Sequence, residues 1–308
     1  MDAIEAVRAL FVLATCTTLA VSLPAALRSR FVAYGARATS TSQADSPSQP
    51  PAPASKSFAT RTMDSLASFK VPHGYFTHFY VVSVLSSLFW TTQVLLGGVF
   101  FRAIAERVAP AHLQPSMSFN QVILCCLLML AQGSRRLYES FLFAKPSSSK
   151  MGFAHWLMGI AFYLGMGVAI WIEGTGNLLS KKLSFDDIKL SNVPSLRTFF
   201  CLPLFLMASG LQHDCHHYLF SLKKYTLPTH PLFRGIICPH YTAECIIYLS
   251  LALLAAPKGE FINKTLVTCL LFVAVNLGIT AKSTKTWYMQ KFGDESVRGR
   301  WIMIPGIY

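Results

Sequence analysis

Apolar residues along this chain fall in seven blocks, at about 3–27, 75–101, 119–143, 152–172, 196–220, 236–256 and 261–281, with polar stretches between them. Each block is close to the ~20 residues that carry an α-helix across a ~30 Å hydrocarbon layer. The pattern predicts an all-α polytopic membrane protein with seven transmembrane helices. The first block is followed by Arg28, Arg30 and Arg37, so it reads as a signal anchor rather than a cleaved signal peptide, whose apolar stretch is shorter. Two thirds of the 27 Lys and Arg residues fall after the first, third, fifth and seventh blocks. Basic residues favour the cytosolic side, which predicts a lumenal N-terminus and a cytosolic C-terminus.

Residues 39–57 are rich in Pro, Ser and Ala and show no apolar periodicity, so a disordered cytosolic loop is expected there. The expected organisation is a first helix with its basic flank (1–38), the loop (39–57), and a six-helix membrane domain with a short cytosolic tail (58–308).

Composition narrows the reading further. Only 13% of the 308 residues are charged and 53% are hydrophobic, too few charges to cover a soluble surface. The net charge of +13 is scattered between apolar blocks and forms no basic stripe with interleaved aromatics, which argues against nucleic acid. Most of the eight cysteines lie inside apolar blocks and no CxxC pair occurs, so neither a disulfide framework nor a zinc ribbon is indicated.

Polar groups inside or at the ends of spans are costly unless they serve a cavity. Here they cluster: His73, Tyr75, His78 and Tyr80; Arg135, Arg136, Tyr138 and Glu139; Gln212 to His217 with Lys223 and Lys224; His240, Tyr241 and Glu244; and Lys282, Lys285, Tyr288, Arg298 and Arg300. On the expected topology all five clusters open to the cytosol. Arg135, Arg136, Lys145, Lys223, Lys224 and Arg300 suit a polyanion such as a dinucleotide pyrophosphate. Glu244, four residues into its span, needs a donor partner. No GxGxxG occurs, so a Rossmann site is excluded.

His213, His216 and His217 form an HxxHH pattern, with His73 and His78 as a second pair. Such boxes suit the di-iron centres of membrane hydroxylases and desaturases. Five box imidazoles fall short of the eight or so those enzymes use, so this stands as the alternative and no metal is expected.

The strings FKVPHGYFTHFY (69–80), SRRLYE (134–139), QHDCHHYLFSLKK (212–224), CPHYTAE (238–244) and YMQKFGDESVRGRWIMIPGIY (288–308) resemble the steroid 5-alpha-reductase superfamily, and within it the polyprenol reductases of dolichol synthesis. The resemblance covers about 68–308. It implies an NADPH site among the cytosolic halves of the later spans and a cavity for a long-chain polyprenoid lipid among the earlier ones. By motif, the cofactor-side residues are Gln212, His216, Lys223, Lys224, Glu244, Tyr288 and Arg300, with Arg135, Arg136 and Lys145 as further phosphate partners. His240 stands where Asn is common in the family, and Lys285 where His is common. The implied reaction saturates the isoprene double bond nearest the head group, in the endoplasmic reticulum membrane, supplying dolichol for protein N-glycosylation; no obligate protein partner is implied. A steroid enone or an enoyl thioester is the competing substrate within the superfamily.

Hydride addition to a carbon–carbon double bond needs a place for the developing charge. An aldehyde provides an enolate and an allylic alcohol does not, which favours polyprenal as the direct substrate. Tyr75, His78 and Tyr80 are the expected catalytic donors, placed by sequence at one membrane depth.

Overall fold

The computed structural model describes residues 2–25, 27–28, 65, 67–145, 148–180, 195–223 and 225–308. In chain order these form α1 (Ala3–Ser22), β1 (Lys70–Pro72), a 3-10 turn (His73–Phe76), α2 (Thr77–Leu96), α3 (Val99–Ala105), α4 (Pro110–Leu113), α5 (Phe119–Leu142), β2 (Lys150–Gly152), α6 (Phe153–Ile172), α7 (Thr175–Ser180), α8 (Leu196–Ser221), α9 (Pro231–Gly235), α10 (Pro239–Leu254), α11 (Lys264–Phe292) and a closing 3-10 turn (Asp294–Ser296). The loop expected at 39–57 lies outside the described residues.

Each apolar block contains one long helix. Four stretches are long and apolar enough to cross a membrane by length and composition: Ala3–Ser22, His73–Leu96, Phe153–Ile172 and Lys264–Phe292. The chain is therefore a mostly helical, polytopic membrane protein. Of the other three long helices, α5 and α8 carry the polar stripes described below, which lower their hydropathy, and α10 is shorter. The 16 residues of α10 span only about 24 Å at ~1.5 Å each.

Two boundaries differ from the apolar pattern. The block at 75–101 breaks where Gly97, at φ +55°, closes α2 with a left-handed cap, and α3 restarts at Val99. The last block is the larger surprise, because α11 continues eleven residues past Ala281 to Phe292. Lys285 and Tyr288 therefore stand on a helix, and the tail proper begins after it.

The helices pack as α8 along α10, α2 along α5 and α6, and α1 along α11 and α6, while α10 leans on α11. Close approach rests on small residues. A Cβ on Gly159 of α6 would meet the Phe79 ring of α2 at 2.6 Å, and one on Gly133 of α5 would meet Ser83 Oγ at 2.8 Å. One core buries Trp171, Phe11, Met166 and Leu251. A smaller one, of Ile237, Cys238, Ala281, Tyr288, Val297 and Met303, holds the tail against α10 and α11.

One end of the bundle is tied by polar struts. Gln121, in the capping box of α5, donates to the carbonyls of Leu254 (3.0 Å) and Ala256 (3.2 Å) at the end of α10. Arg197, near the start of α8, donates to Leu253 and Ala256 there as well, both at 3.1 Å. Glu173 accepts from Arg8 of α1 and from the Thr265 backbone of α11, each at 2.9 Å. Since α5 and α8 both start at this end, they run in the same direction and finish together at the other.

Candidate active site

That other end holds the chemistry. On α5, Gln132, Arg135, Arg136 and Glu139 follow the i, i+3, i+4, i+7 spacing of one helical face. Ser209, Gln212, His213 and His216 repeat the same spacing on α8. With the helices parallel, the two stripes meet rung by rung. Gln132 Nε2 donates to Gln212 Oε1 at 2.9 Å, and Ser209 Oγ donates to Gln132 Oε1 at 3.0 Å. Arg135 donates to Ser209 Oγ (3.1 Å), Gln132 Oε1 (3.0 Å), Gln212 and Glu139, so four partners claim its five N–H groups. It is a strut of the site.

Glu139 is the hub. Only 2% of its side chain is exposed, and it accepts from both guanidiniums while the Nδ1 atoms of His213 and His216 stand 2.7 and 2.8 Å from its two oxygens. Four positively charged or polarised groups thus surround one buried carboxylate, which satisfies its lone pairs and separates two adjacent arginines.

Arg136 reaches across to α2. Its Nη2 donates to the Tyr80 hydroxyl, and its Cζ lies 4.7 Å over the Tyr80 ring. Tyr80 is buried and faces Tyr163 of α6, ring centres 6.0 Å apart. A guanidinium only donates, so the Tyr80 oxygen is the acceptor and its own hydrogen stays available to another group. On α10, Glu244 accepts from Gln212, and the His240 ring stands 5.5 Å from that of His216. His240 Nδ1 is buried without a hydrogen-bond partner among the described residues.

The tail closes this end. Arg300 donates to the carbonyls of Pro228 (3.1 Å) and Phe233 (3.0 Å), Lys285 donates to the Arg300 carbonyl (2.7 Å), and Trp301 bridges Ile236 in parallel. Tyr288 is buried in the small core beneath. Lys145 Nζ donates to the Leu222 carbonyl at 2.6 Å, beside exposed Lys223. Lys224 lies outside the described residues.

Of the residues singled out by sequence, Tyr80, Arg135, Arg136, Gln212, His216, His240 and Glu244 come together. Arg300 belongs to the tail that caps them, and Lys285 and Tyr288 to the end of α11 that holds this tail. Tyr75 and His78 do not join Tyr80: their rings lie tilted against each other, centres 4.4 Å apart, and against Trp156, at 6.3 and 6.2 Å. Equal depth did not make these three one site, because they leave the chain on different sides of the 3-10 turn and of α2. Sequence reading gave no role to Glu139, Gln132, Ser209 or Tyr163. The i, i+3, i+4, i+7 spacing of polar residues, repeated in two apolar blocks, was the signal that could have found the first three.

The histidine boxes are distributed otherwise than iron ligation would use them. His213 and His216 address Glu139, His217 lies against Phe143 (5.7 Å), and His73 stacks on Phe76 (5.9 Å). Among the described residues, the grouping with three converging ligand atoms is Asp2, Glu5 and His112, at the opposite end, where Arg8 pairs with Glu5 at 2.7 Å.

Residues 149–308 match the family described as 3-oxo-5-alpha-steroid 4-dehydrogenase. The chain is 30% identical to the polyprenal reductase of Saccharomyces cerevisiae, with 80% of this chain and 78% of that protein covered. It is 28% identical to polyprenal reductase 1 of Oryza sativa subsp. indica (83% and 84% covered) and 26% identical to polyprenal reductase of Xenopus laevis (78% of each). The match spans the α8–α10 half of the polar cluster, the tail and the second core, and a reductase acting on a carbon–carbon double bond follows from it. The chain belongs to the steroid 5-alpha-reductase superfamily.

Proposed function

We propose that this protein reduces the double bond of the isoprene unit nearest the head group of a polyprenal, giving dolichal, with NADPH as hydride source. The net conversion is polyprenol to dolichol, which supplies protein N-glycosylation. On this reading the chain crosses the endoplasmic reticulum membrane seven times, its N-terminus lumenal and its C-terminus cytosolic, with the polar cluster at the cytosolic end. The observation that carries the proposal is the pairing of Arg136 with Tyr80 inside a buried ionic cluster. The names of the relatives point the same way.

The donor set suits a dinucleotide. Arg136, Lys145 and Lys223 supply cations, and His240 Nδ1 is a buried polar atom without a partner among the described residues. Gln212, His240 and Glu244 would hold the nicotinamide side, with Lys145, Lys223, Lys224 and Arg300 toward the phosphates. Bound there, NADPH supplies two electrons and a hydrogen as hydride. The chain's own residues do the rest. Tyr80, whose oxygen is occupied by Arg136, donates its hydrogen to the substrate carbonyl oxygen and stabilises the enolate as charge moves there. Arg136 keeps the hydroxyl aimed, and Glu139 keeps Arg136 from turning away. Tyr75, His78 and Trp156 form an aromatic wall at the span end, suited to the first isoprene units.

The test is a side-by-side assay of purified protein with NADPH on polyprenal, polyprenol and a steroid enone. Polyprenal should be consumed at least tenfold faster than either. Equal or faster turnover of polyprenol would overturn the aldehyde assignment, and preference for the steroid would overturn the substrate class.

A further inference from the structure

His216 Nδ1 lies 2.7 Å from Arg136 Nη1 and 2.8 Å from Glu139 Oε2. The two contacts ask opposite things of one nitrogen. A guanidinium can only donate, so it needs a lone pair on Nδ1; a carboxylate can only accept, so it needs an N–H. Both partners are fixed: Arg136 by Tyr80 and Glu139, and Glu139 by Arg135, Arg136 and His213. Without its proton, Nδ1 accepts from Arg136. With it, Nδ1 donates to Glu139. In the second state Nδ1–H is held by Glu139, so the proton that the ring can give up without losing that contact is the one on Nε2. Nε2 is the ring nitrogen that neither neighbour claims. His216 also faces His240 across 5.5 Å, and Glu244 accepts from Gln212, which in turn accepts from Arg135.

We propose that His216 is the proton reservoir of the reaction and Glu139 its positioning residue. This rests on the reductase reading above. Hydride arriving at the β carbon breaks the carbon–carbon π bond, and that electron pair moves into the enolate whose oxygen Tyr80 holds. The α carbon then takes the Nε2 proton of protonated His216. One C–H bond forms, one N–H bond breaks, and a neutral ring remains with Nδ1–H on Glu139. A proton from water restores it, so each turnover consumes one hydride and one proton. His213, 37% exposed on the outer oxygen of Glu139, marks the side from which water reaches the cluster; His216 is 15% exposed.

Two readouts test this. The first is nitrogen-15 NMR of histidine-labelled protein in detergent, without nucleotide, recorded across pH for the wild type, H216Q and E139Q. The second is the pH profile of kcat on polyprenal. The wild-type rate should fall with rising pH along the same curve on which one histidine loses its Nε2 proton. H216Q should abolish that resonance, flatten the profile and lower kcat about 100-fold, with KM for both substrates within about threefold. E139Q should shift the titration and the rate profile together, by the same amount. Should H216Q fail to fold, the joint shift in E139Q carries the test. Wild-type kcat and profile in H216Q, or a rate profile that follows no histidine titration, would overturn the proposal. Failure of the wild type to reduce polyprenal would instead sink the reductase reading, and the NMR titration would still report whether Glu139 and His216 are coupled.

Discussion

Arg136 and Tyr80, 56 residues apart and on different helices, share a hydrogen bond and a ring contact at once, with Cζ 4.7 Å from the ring centre. Tyr75 and His78 take no part in this pairing and lie tilted against each other instead. Tyr80→Phe keeps the ring and removes the one hydrogen aimed at the substrate. Steady-state kinetics should show kcat down about 100-fold with KM for polyprenal little changed. Tyr75→Phe should stay within about threefold of wild type. Equal losses in the two variants would return the acid role to the whole trio.

Arg135 and Arg136 are neighbours in sequence with different work. Arg135 spends its N–H groups on Ser209, Gln132, Gln212 and Glu139, all within the protein. Its removal leaves a buried carboxylate and two amides short of donors, so Arg135→Ala should cost about 3 kcal/mol of stability. Thermal unfolding in detergent should register this as the lower midpoint of the two arginine variants. A larger loss for Arg136→Ala would reverse the assignment of strut and donor.

Glu244 accepts from Gln212, which Arg135 also holds. Glu244→Gln retains the shape and loses the charge that a hydrogen bond to nucleotide would use, a difference of about 1.5–3 kcal/mol. Titration with NADPH should give a Kd at least tenfold higher, while expression and monodispersity match wild type. An unchanged Kd would remove Glu244 from the nucleotide site.

Asp2, at the N-cap of α1, is held below the ordinary carboxyl value of 3.8: burial raises it, but N–H groups of Ala109 and Glu5 together with His112 outweigh that. A depressed folded value means that Asp2 contributes its full stability above the unfolded value and loses it as pH falls through the folded one. Asp2→Ala should therefore cost about 1 kcal/mol at pH 7 and less at a pH well below 3.8. Unfolding midpoints for both proteins at the two pH values check this; a constant gap would show that the cap does not act through its charge.

Gly159 of α6 leaves room for the Phe79 ring, which a Cβ would approach to 2.6 Å. Gly159→Leu should push α2 from α6 and cost about 1–3 kcal/mol, read as a lower unfolding midpoint. An unchanged midpoint would mean that α2 and α6 are not packed through this contact.

The sequence by itself determined the helical membrane character and the residues that open each polar cluster, because apolar block length and 3.6-residue periodicity are local properties of the chain. It also fixed the two matching stripes, Gln132 to Glu139 and Ser209 to His216. Only the tertiary structure decided which partners meet. The register between α5 and α8 is set at the far end, where Gln121 and Arg197 both grip the end of α10. That register brings Glu139 between two imidazoles and Arg136 against Tyr80, and leaves Tyr75 and His78 outside. Spacing along a helix tells which side chains share a face, but the direction and offset of the neighbouring helix are decided by caps and packing many turns away.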